Sequence, residues 1–195
     1  MHLRLACYHA SNHTAAQLCR SCRGATRRRF VRLRLDLRNL EQAEVFSRIQ
    51  SAVGRRIGRV ERVFYTHGGT VDRTRGILQL GFDDGTSMHF RGGPDGASVV
   101  VETAQWSDPF AAPLSSENRE FIEKSGKWTL FDVSNDDPYR ELIGEELDSA
   151  EPLLHESGAI VSGVRLRIGT ATVLFQIEDD EEFVSFGDSG SVPAG

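Results

Sequence analysis

The sequence has little cysteine and almost no lysine. Its three cysteines, Cys7, Cys19 and Cys22, all lie in the first 22 of 195 residues. The rest of the chain therefore makes no disulfide bonds, which is usual for proteins of the reducing cytoplasm. Only Lys124 and Lys127 are lysines, so 21 of the 23 basic residues are arginines. That bias is typical of GC-rich coding sequence.

Long apolar runs are also missing. No stretch approaches the roughly 20 apolar residues that a membrane span needs. The start of the chain is interrupted by His2, Arg4 and His9, where a signal peptide would need a continuous apolar core. We therefore expect a cytoplasmic protein without a membrane segment.

The sequence contains no specific catalytic or cofactor motif. A zinc-protease helix motif, a phosphate-binding loop and a nucleophile in a sharp-turn motif are all lacking. The glycine-rich stretch Gly92–Gly96 precedes a predicted strand rather than a helix, which indicates a turn. His67 and His155 lie at the ends of corresponding predicted strands, and His89 is predicted to point away from the core between Met88 and Phe90. Histidines near carboxylates can perform acid–base chemistry, so a ligand-binding or hydrolytic site at His67 and His155 is an alternative. We nevertheless expect no enzyme and no cofactor.

Charge divides the chain into two parts. Residues 1–35 contain eight arginines and no acidic residue, whereas residues 36–195 contain 15 basic and 28 acidic residues. We expect residues 1–38 to be a disordered basic segment, or a start assigned too far upstream, and residues 189–195 to be a flexible tail. The acidic remainder favours a basic protein partner and repels nucleic acid.

The basic segment contains residue types that bind zinc. Cys19 and Cys22 form a CxxC pair, and Cys7, His9 and His13 precede it. A single CxxC with loosely spaced histidines has low specificity for a metal site. We therefore predict no bound metal and keep these five residues as the candidate ligands.

The stretch Gly76–Phe90 predicts a β-hairpin. Ile77–Phe82 and Thr86–Phe90 alternate apolar with polar residues, and an Asp-Gly step between them suits a tight turn. Before the hairpin we predict a helix from Asn39 to Gly54 and a strand over Ile57–Thr66. After it we predict a strand over Ala97–Thr103.

Residues 104–136 are predicted to be a linker with its own short elements. Ser115 or Ser116 can cap a helix that runs to Lys124 and ends at Gly126, and a strand follows over Trp128–Val133. We expect Phe121 and Ile122 to face inward from this helix.

The pattern of residues 39–103 returns in residues 137–188. Gly54, Ile57 and Glu61 reappear as Gly144, Leu147 and Glu151, each 90 positions later. We therefore predict a single α+β, mainly β domain over residues 39–188. It consists of two tandem helix-plus-four-strand antiparallel repeats, over 39–103 and 137–188, which form a sandwich or a partly closed barrel of about eight strands.

An acidic run is the candidate partner site. Its five carboxylates are Glu178, Asp179, Asp180, Glu181 and Glu182, and a cationic partner would relieve their mutual repulsion. The alternative reading is a solvated turn.

A resemblance to known proteins rests on the repeat, the acidic body and the segments Ser116–Phe121 and Gly126–Trp128. Over Leu40 to Asp188 the chain resembles uncharacterised, actinobacterial-type bacterial proteins and, more loosely, immunity proteins of polymorphic toxin systems. The resemblance rests on pattern and transfers no site residue. It implies a non-catalytic protein that binds and blocks a cognate toxin, commonly a basic nuclease, although the basic segment departs from that pattern. A small-molecule-binding or hydrolytic β-domain using His67 and His155, or a structural module of unknown partner, are the alternatives.

Overall fold

The computed structural model describes residues 42–158 and 160–188, which form two antiparallel sheets and two α-helices. The helices are α1, over residues 42–50, and α2 (Ser116–Ser125), and a 3-10 helix spans Tyr139–Leu142. The strands are β1 (Ile57–His67), β2 (Thr70–Phe82), β3 (Ser87–Gly92), β4 (Val99–Glu102), β5 (Lys127–Asp132), β6 (Leu147–Leu154), β7 (Val161–Ile168), β8 (Ala171–Glu178) and β9 (Glu181–Asp188).

The two sheets have different strand orders. The first has the order β4-β3-β2-β1-β5, and the second has the order β6-β7-β8-β9. The two helices and nine strands of the described residues confirm the predicted α+β, mainly β class. Neither of the two sheets closes on itself, so the described residues form no closed barrel.

One hydrophobic core lies between the sheets. Leu80 and Phe90 of the first sheet and Val164 and Phe175 of the second are all fully buried in it. The rings of Phe90 and Phe175 meet with centroids 5.9 Å apart. Burying one such side chain contributes about 1.5–3 kcal/mol, so the alternating apolar residues of the strands supply most of the force that holds the sheets together.

The predicted hairpin is confirmed at β2 and β3. Leu80 pairs with Met88 and Leu78 with Phe90, and Gly85 in the turn has a φ of 82°. β2 begins at Thr70, well before the predicted Ile77. Its early part carries an irregularity: four residues of β2 bulge out opposite a single residue of β1, which obscured the period-two pattern in the sequence.

The predicted linker contributes a strand to the first sheet. β5 pairs with the side of β1 that β2 leaves open, so the described strands number nine rather than about eight. The boundaries of α2 are confirmed, because Ser115 Oγ accepts a hydrogen bond from the Asn118 amide (3.1 Å) and Gly126 ends the helix. The inward orientation of Phe121 is wrong. This side chain is 51% exposed and stacks on Phe110, because α2 lies outside the core and buries none of its residues.

The last four strands form consecutive hairpins, as predicted, but the helix expected before them is reduced to the 3-10 helix Tyr139–Leu142. Only five residues separate Pro138 from Gly144, and Pro138 donates no backbone hydrogen bond. That length is too short for an α-helix of ordinary size.

Several predictions concern residues that the structure does not describe. The basic segment over residues 1–38, the helix start at Asn39, the cysteine and histidine cluster and the tail over residues 189–195 lie outside the described residues. No helix in the described part of the chain is long and apolar enough to cross a bilayer.

Candidate functional site

A groove opens between α1 and the edge of the first sheet. Its volume is about 480 Å³. Its apolar lining residues are Val45, Pro94, Val99, Val100, Val101, Ile160 and Val161, and its polar lining residues are Gln42, Glu44, Arg48, Asp95 and Ser98. We call this cavity the β4 groove. An apolar pocket with a few convergent polar groups is the usual form of a binding site.

The edge strand β4 supplies backbone amide and carbonyl groups to the groove. Among the described residues β4 pairs only with β3. The Gly93 amide donates to the Ser98 carbonyl (2.7 Å). Because hydrogen bonds alternate along an antiparallel strand, the backbone groups of Val99 and Val101 point the opposite way, toward the groove. The Val101 carbonyl already accepts from Arg48 Nη1 at 2.6 Å, which agrees with that direction.

Arg48 and Asp95 both line the groove, but they differ in the charge that they offer to a ligand. The Arg48 guanidinium is occupied by the Val101 carbonyl and by Glu44, 2.5 Å away. Burial alone would raise the pKa of Asp95, but hydrogen bonds from Ser98 and Ala97 outweigh it and the pKa is lowered. Asp95 therefore stays ionised and contributes a negative charge at the groove.

The turn between β8 and β9 lies beside this end of the groove. Asp179 and Asp180 occupy the turn with φ values of 51° and 66°, and both are exposed, as is Glu178. A Cβ added at Gly96 would lie only 2.8 Å from Asp180 Oδ1, so this turn touches the turn that carries Asp95. We call Glu178, Asp179 and Asp180 the acidic turn.

The other two residues of the predicted acidic run are engaged within the protein. Glu181 forms an ion pair with Arg75, which also binds Asp72 at 3.0 Å. Hydrogen bonds from Thr74 and Arg75 lower the pKa of Asp72 to about 2. Glu182 Oε1 accepts from the Gly92 amide at 2.8 Å, and burial raises the pKa of Glu182.

The structure thus divides the five-carboxylate run. Three carboxylates face solvent next to the β4 groove, while Glu181 and Glu182 connect β9 to β2 and β3. Strand alternation and the tight turn cause the division, because the turn projects outward and the first residues of β9 return to the sheet.

A row of polar side chains crosses the outer face of the first sheet. Glu61, Gln79, His89 and Glu102 are paired directly across β1, β2, β3 and β4. Gln79 donates to Glu61 and accepts from the Trp106 amide at 2.6 Å. His89 Nδ1 lies 2.8 Å from the Ala104 carbonyl, and His89 Nε2 lies 3.6 Å from Glu102.

This polar row holds a loop on the sheet. His89 does lie on the face opposite Met88 and Phe90, as the alternation predicts, but it is only 3% exposed because the segment around Ala104–Trp106 covers it. No buried side-chain nitrogen or oxygen in the described part of the chain lacks a hydrogen-bond partner, and no group of three or more metal-ligand side chains is found there. The row is satisfied by its own protein.

Removing the centre of the row should loosen the loop. Gln79→Leu would remove the hydrogen bonds to Glu61 and to the Trp106 amide, at a cost of about 1–2 kcal/mol of unfolding free energy. Glu61 would keep its ion pair with Arg59, whereas the Trp106 amide would lose its Gln79 acceptor. We expect faster hydrogen exchange at the Trp106 amide and earlier proteolysis within residues 104–114. Gln105→Leu, an exposed neighbour, is the matched control. Equal exchange rates in both variants would contradict the role of Gln79.

The two histidines proposed as an alternative site lie in different sheets. His67 ends β1 and is exposed, and His155 follows β6, with its Nδ1 3.4 Å from Ser157 Oγ. Neither lines the β4 groove. Sequence reasoning missed the groove itself, whose only signal was the run Val99–Val101 after a glycine-rich turn.

The chain was compared with models of protein families, with curated proteins and with solved structures. None of the three comparisons found a match.

Proposed function

We propose that this chain is a non-catalytic binding protein that holds a basic protein partner at the β4 groove and the acidic turn. The observation that carries the proposal is the contact between the acidic turn and the turn bearing Asp95, at the end of an apolar groove next to an edge strand. An immunity-type inhibitor of a basic toxin is the specific form that agrees with the acidic body of the chain.

Charge supports a cationic partner. The turn with exposed Asp95 and the turn with exposed Asp179 and Asp180 belong to different sheets, yet Asp180 packs against Gly96, next to Asp95 in the chain. Neighbouring carboxylates repel each other, so a bound cation relieves that repulsion as well as adding contacts. Complementary charge of this kind mainly accelerates association.

Neutralising the acidic turn should slow association. The triple variant Glu178→Gln, Asp179→Asn, Asp180→Asn removes three negative charges, and asparagine tolerates the positive φ of the turn. For a partner isolated with the full chain as bait, we expect an association rate reduced about three- to tenfold at low salt, with little change in dissociation. Stopped-flow measurements at two salt concentrations test this expectation, since salt screens exposed charges.

The control removes the same charge elsewhere. Asp83→Asn, Glu145→Gln and Asp148→Asn change three exposed carboxylates. Asp83 lies in the β2–β3 turn, at the end of β3 away from the groove. Similar slowing in both triple variants, or association that does not depend on salt, would remove the acidic turn from the binding surface.

We also propose that residues 39–103 and 137–188 are tandem repeats. Reciprocal hydrogen bonds support this: the Gly54 amide donates to the Leu147 carbonyl and the Gly144 amide to the Ile57 carbonyl, each at 2.8 Å. The two glycines have φ values of 84° and 83°, and their 90-residue offset is the one found in the sequence.

A further inference from the structure

We propose that the partner enters the β4 groove as an extended segment that pairs with β4 as an added strand and places a basic side chain toward Asp95 and the acidic turn. This inference rests on the proposed function and specifies how the same site binds. The added strand would extend the first sheet beyond β4, which is its edge among the described residues.

The backbone of β4 offers a short ladder. The amide and carbonyl of Val99 and the amide of Val101 point toward the groove, two residues apart, which is the repeat at which an antiparallel or parallel neighbour supplies its own groups. The Val101 carbonyl is already bound to Arg48. Since β4 has only four residues, the ladder fits a segment of about four to six residues. Main-chain pairing of this type provides affinity with little dependence on sequence.

The apolar walls of the groove determine which side chains of a bound segment fit there. Val45 on α1 and Val161 on β7 line the groove together with the valines of β4. Because successive side chains of an extended segment point to opposite sides, every second residue would face this apolar wall. The groove therefore fits a segment that alternates apolar with polar residues.

Charge decides between possible occupants. Asp95 and Asp180 are negative at one end of the groove, and the charge of Arg48 is balanced by Glu44. A second copy of this chain, paired symmetrically and antiparallel through β4, would place its own Asp95 and acidic turn at the opposite end of the strand pair. The acidic end of the groove would then gain no cation from these elements. A basic segment supplies that cation, so the observations favour it over a copy of the chain.

The test uses a synthetic probe and the full-length protein. The probe is a capped six-residue peptide of alternating valine and arginine. The control peptide has the same composition but carries N-methyl groups on alternate residues, on the edge that would face β4. We expect the N-methylated peptide to bind at least tenfold more weakly by fluorescence anisotropy, because it keeps the charge and loses the ladder donors. Equal binding of the two peptides would overturn strand addition.

A pair of variants makes the same test on the protein side. Val99→Pro removes one outward-pointing amide, and Val99→Ala keeps that amide while shortening the same side chain. An edge strand tolerates proline where the missing amide faces away from the sheet. We expect Val99→Pro to weaken probe binding about tenfold relative to Val99→Ala. If both variants bind equally while the acidic-turn variant still slows partner association, strand addition fails and the proposed function stands.

Hydrogen exchange on the unmodified chain needs no variant that might fail to fold. We expect the Val99 and Val101 amides to exchange rapidly in the free protein and at least tenfold more slowly with the valine–arginine peptide. Protection of both amides before the peptide is added would show that the edge is already occupied and would overturn the proposal. Sedimentation of the same sample then assigns the occupant to a second copy if the protein is dimeric, or to the basic segment of this chain, residues 1–38, if it is monomeric.

Discussion

Replacing Arg62 with methionine is expected to lower the free energy of unfolding by about 3–5 kcal/mol. Arg62 is only 2% exposed, and its guanidinium donates to the carbonyls of Ile77 (3.1 Å) and Gly76 (3.0 Å) and to the Tyr139 hydroxyl. Methionine fills a similar volume but leaves these three oxygens without their donor, and buried polar groups without partners are costly.

The surroundings of Arg62 explain why a charge is tolerated in the core. The guanidinium lies 4.9 Å from the ring centroid of Phe64 and 5.8 Å from that of Tyr139. Burial lowers the pKa of Arg62, while the interaction with Tyr139 acts against this. The side chain thereby connects β1, the irregular part of β2 and the 3-10 helix.

Denaturant unfolding followed by tryptophan fluorescence measures the loss. Arg140→Met is the control, because Arg140 is exposed and forms an ion pair with the exposed Asp137 on the surface. Surface substitutions of that kind usually change stability by no more than about 0.5 kcal/mol. A loss below about 1 kcal/mol for Arg62→Met would mean that the three acceptors find other partners.

Gly76→Ala is expected to cost about 4 kcal/mol or to prevent folding. Gly76 has a φ of 134°, and a Cβ at this position would lie 2.1 Å from the backbone carbonyl oxygen of Val63. A backbone oxygen cannot move aside as the end of a side chain can. The strands β1 and β2 would have to separate at the irregularity where Arg62 binds the Gly76 carbonyl.

Gly85→Ala separates the cost of a positive φ from the cost of the steric clash with Val63. Gly85 also has a positive φ, 82°, but no atom lies within 4 Å of its added Cβ. This variant should therefore lose only the roughly 1–2 kcal/mol of the left-handed backbone conformation. Thermal and denaturant unfolding of both variants measure the difference. Equal losses at Gly76 and Gly85 would contradict a steric role for Val63.

Local sequence signals were sufficient to predict several of the structural elements. The Asp-Gly turn of the hairpin needs only a positive φ at Gly85, and α2 needs only the capping hydroxyl of Ser115 and the stop at Gly126. The spacing of the last four strands follows from short alternating segments separated by tight turns. These features are decided by neighbours within a few residues, so they could be predicted without knowing the fold.

The candidate site could be predicted only in part from local sequence signals. The acidic run Glu178–Glu182 could be found as a charge pattern, but its division could not, because Arg75 and the Gly92 amide that engage Glu181 and Glu182 are about 90 or more positions away in the chain.

Contacts between distant parts of the chain determine which strands lie at an edge and which groups surround the buried polar residues. β5 joins β1 across 60 or more positions, which leaves β4 at the opposite edge beside α1 and so creates the groove. Strand alternation places Arg62 on the core face of β1 with Val60 and Phe64. A charge is accommodated there only because carbonyls of the β2 irregularity and the hydroxyl of Tyr139 surround it. Non-local pairing set these positions. The free energy of such contacts depends on groups that come together only in the folded chain.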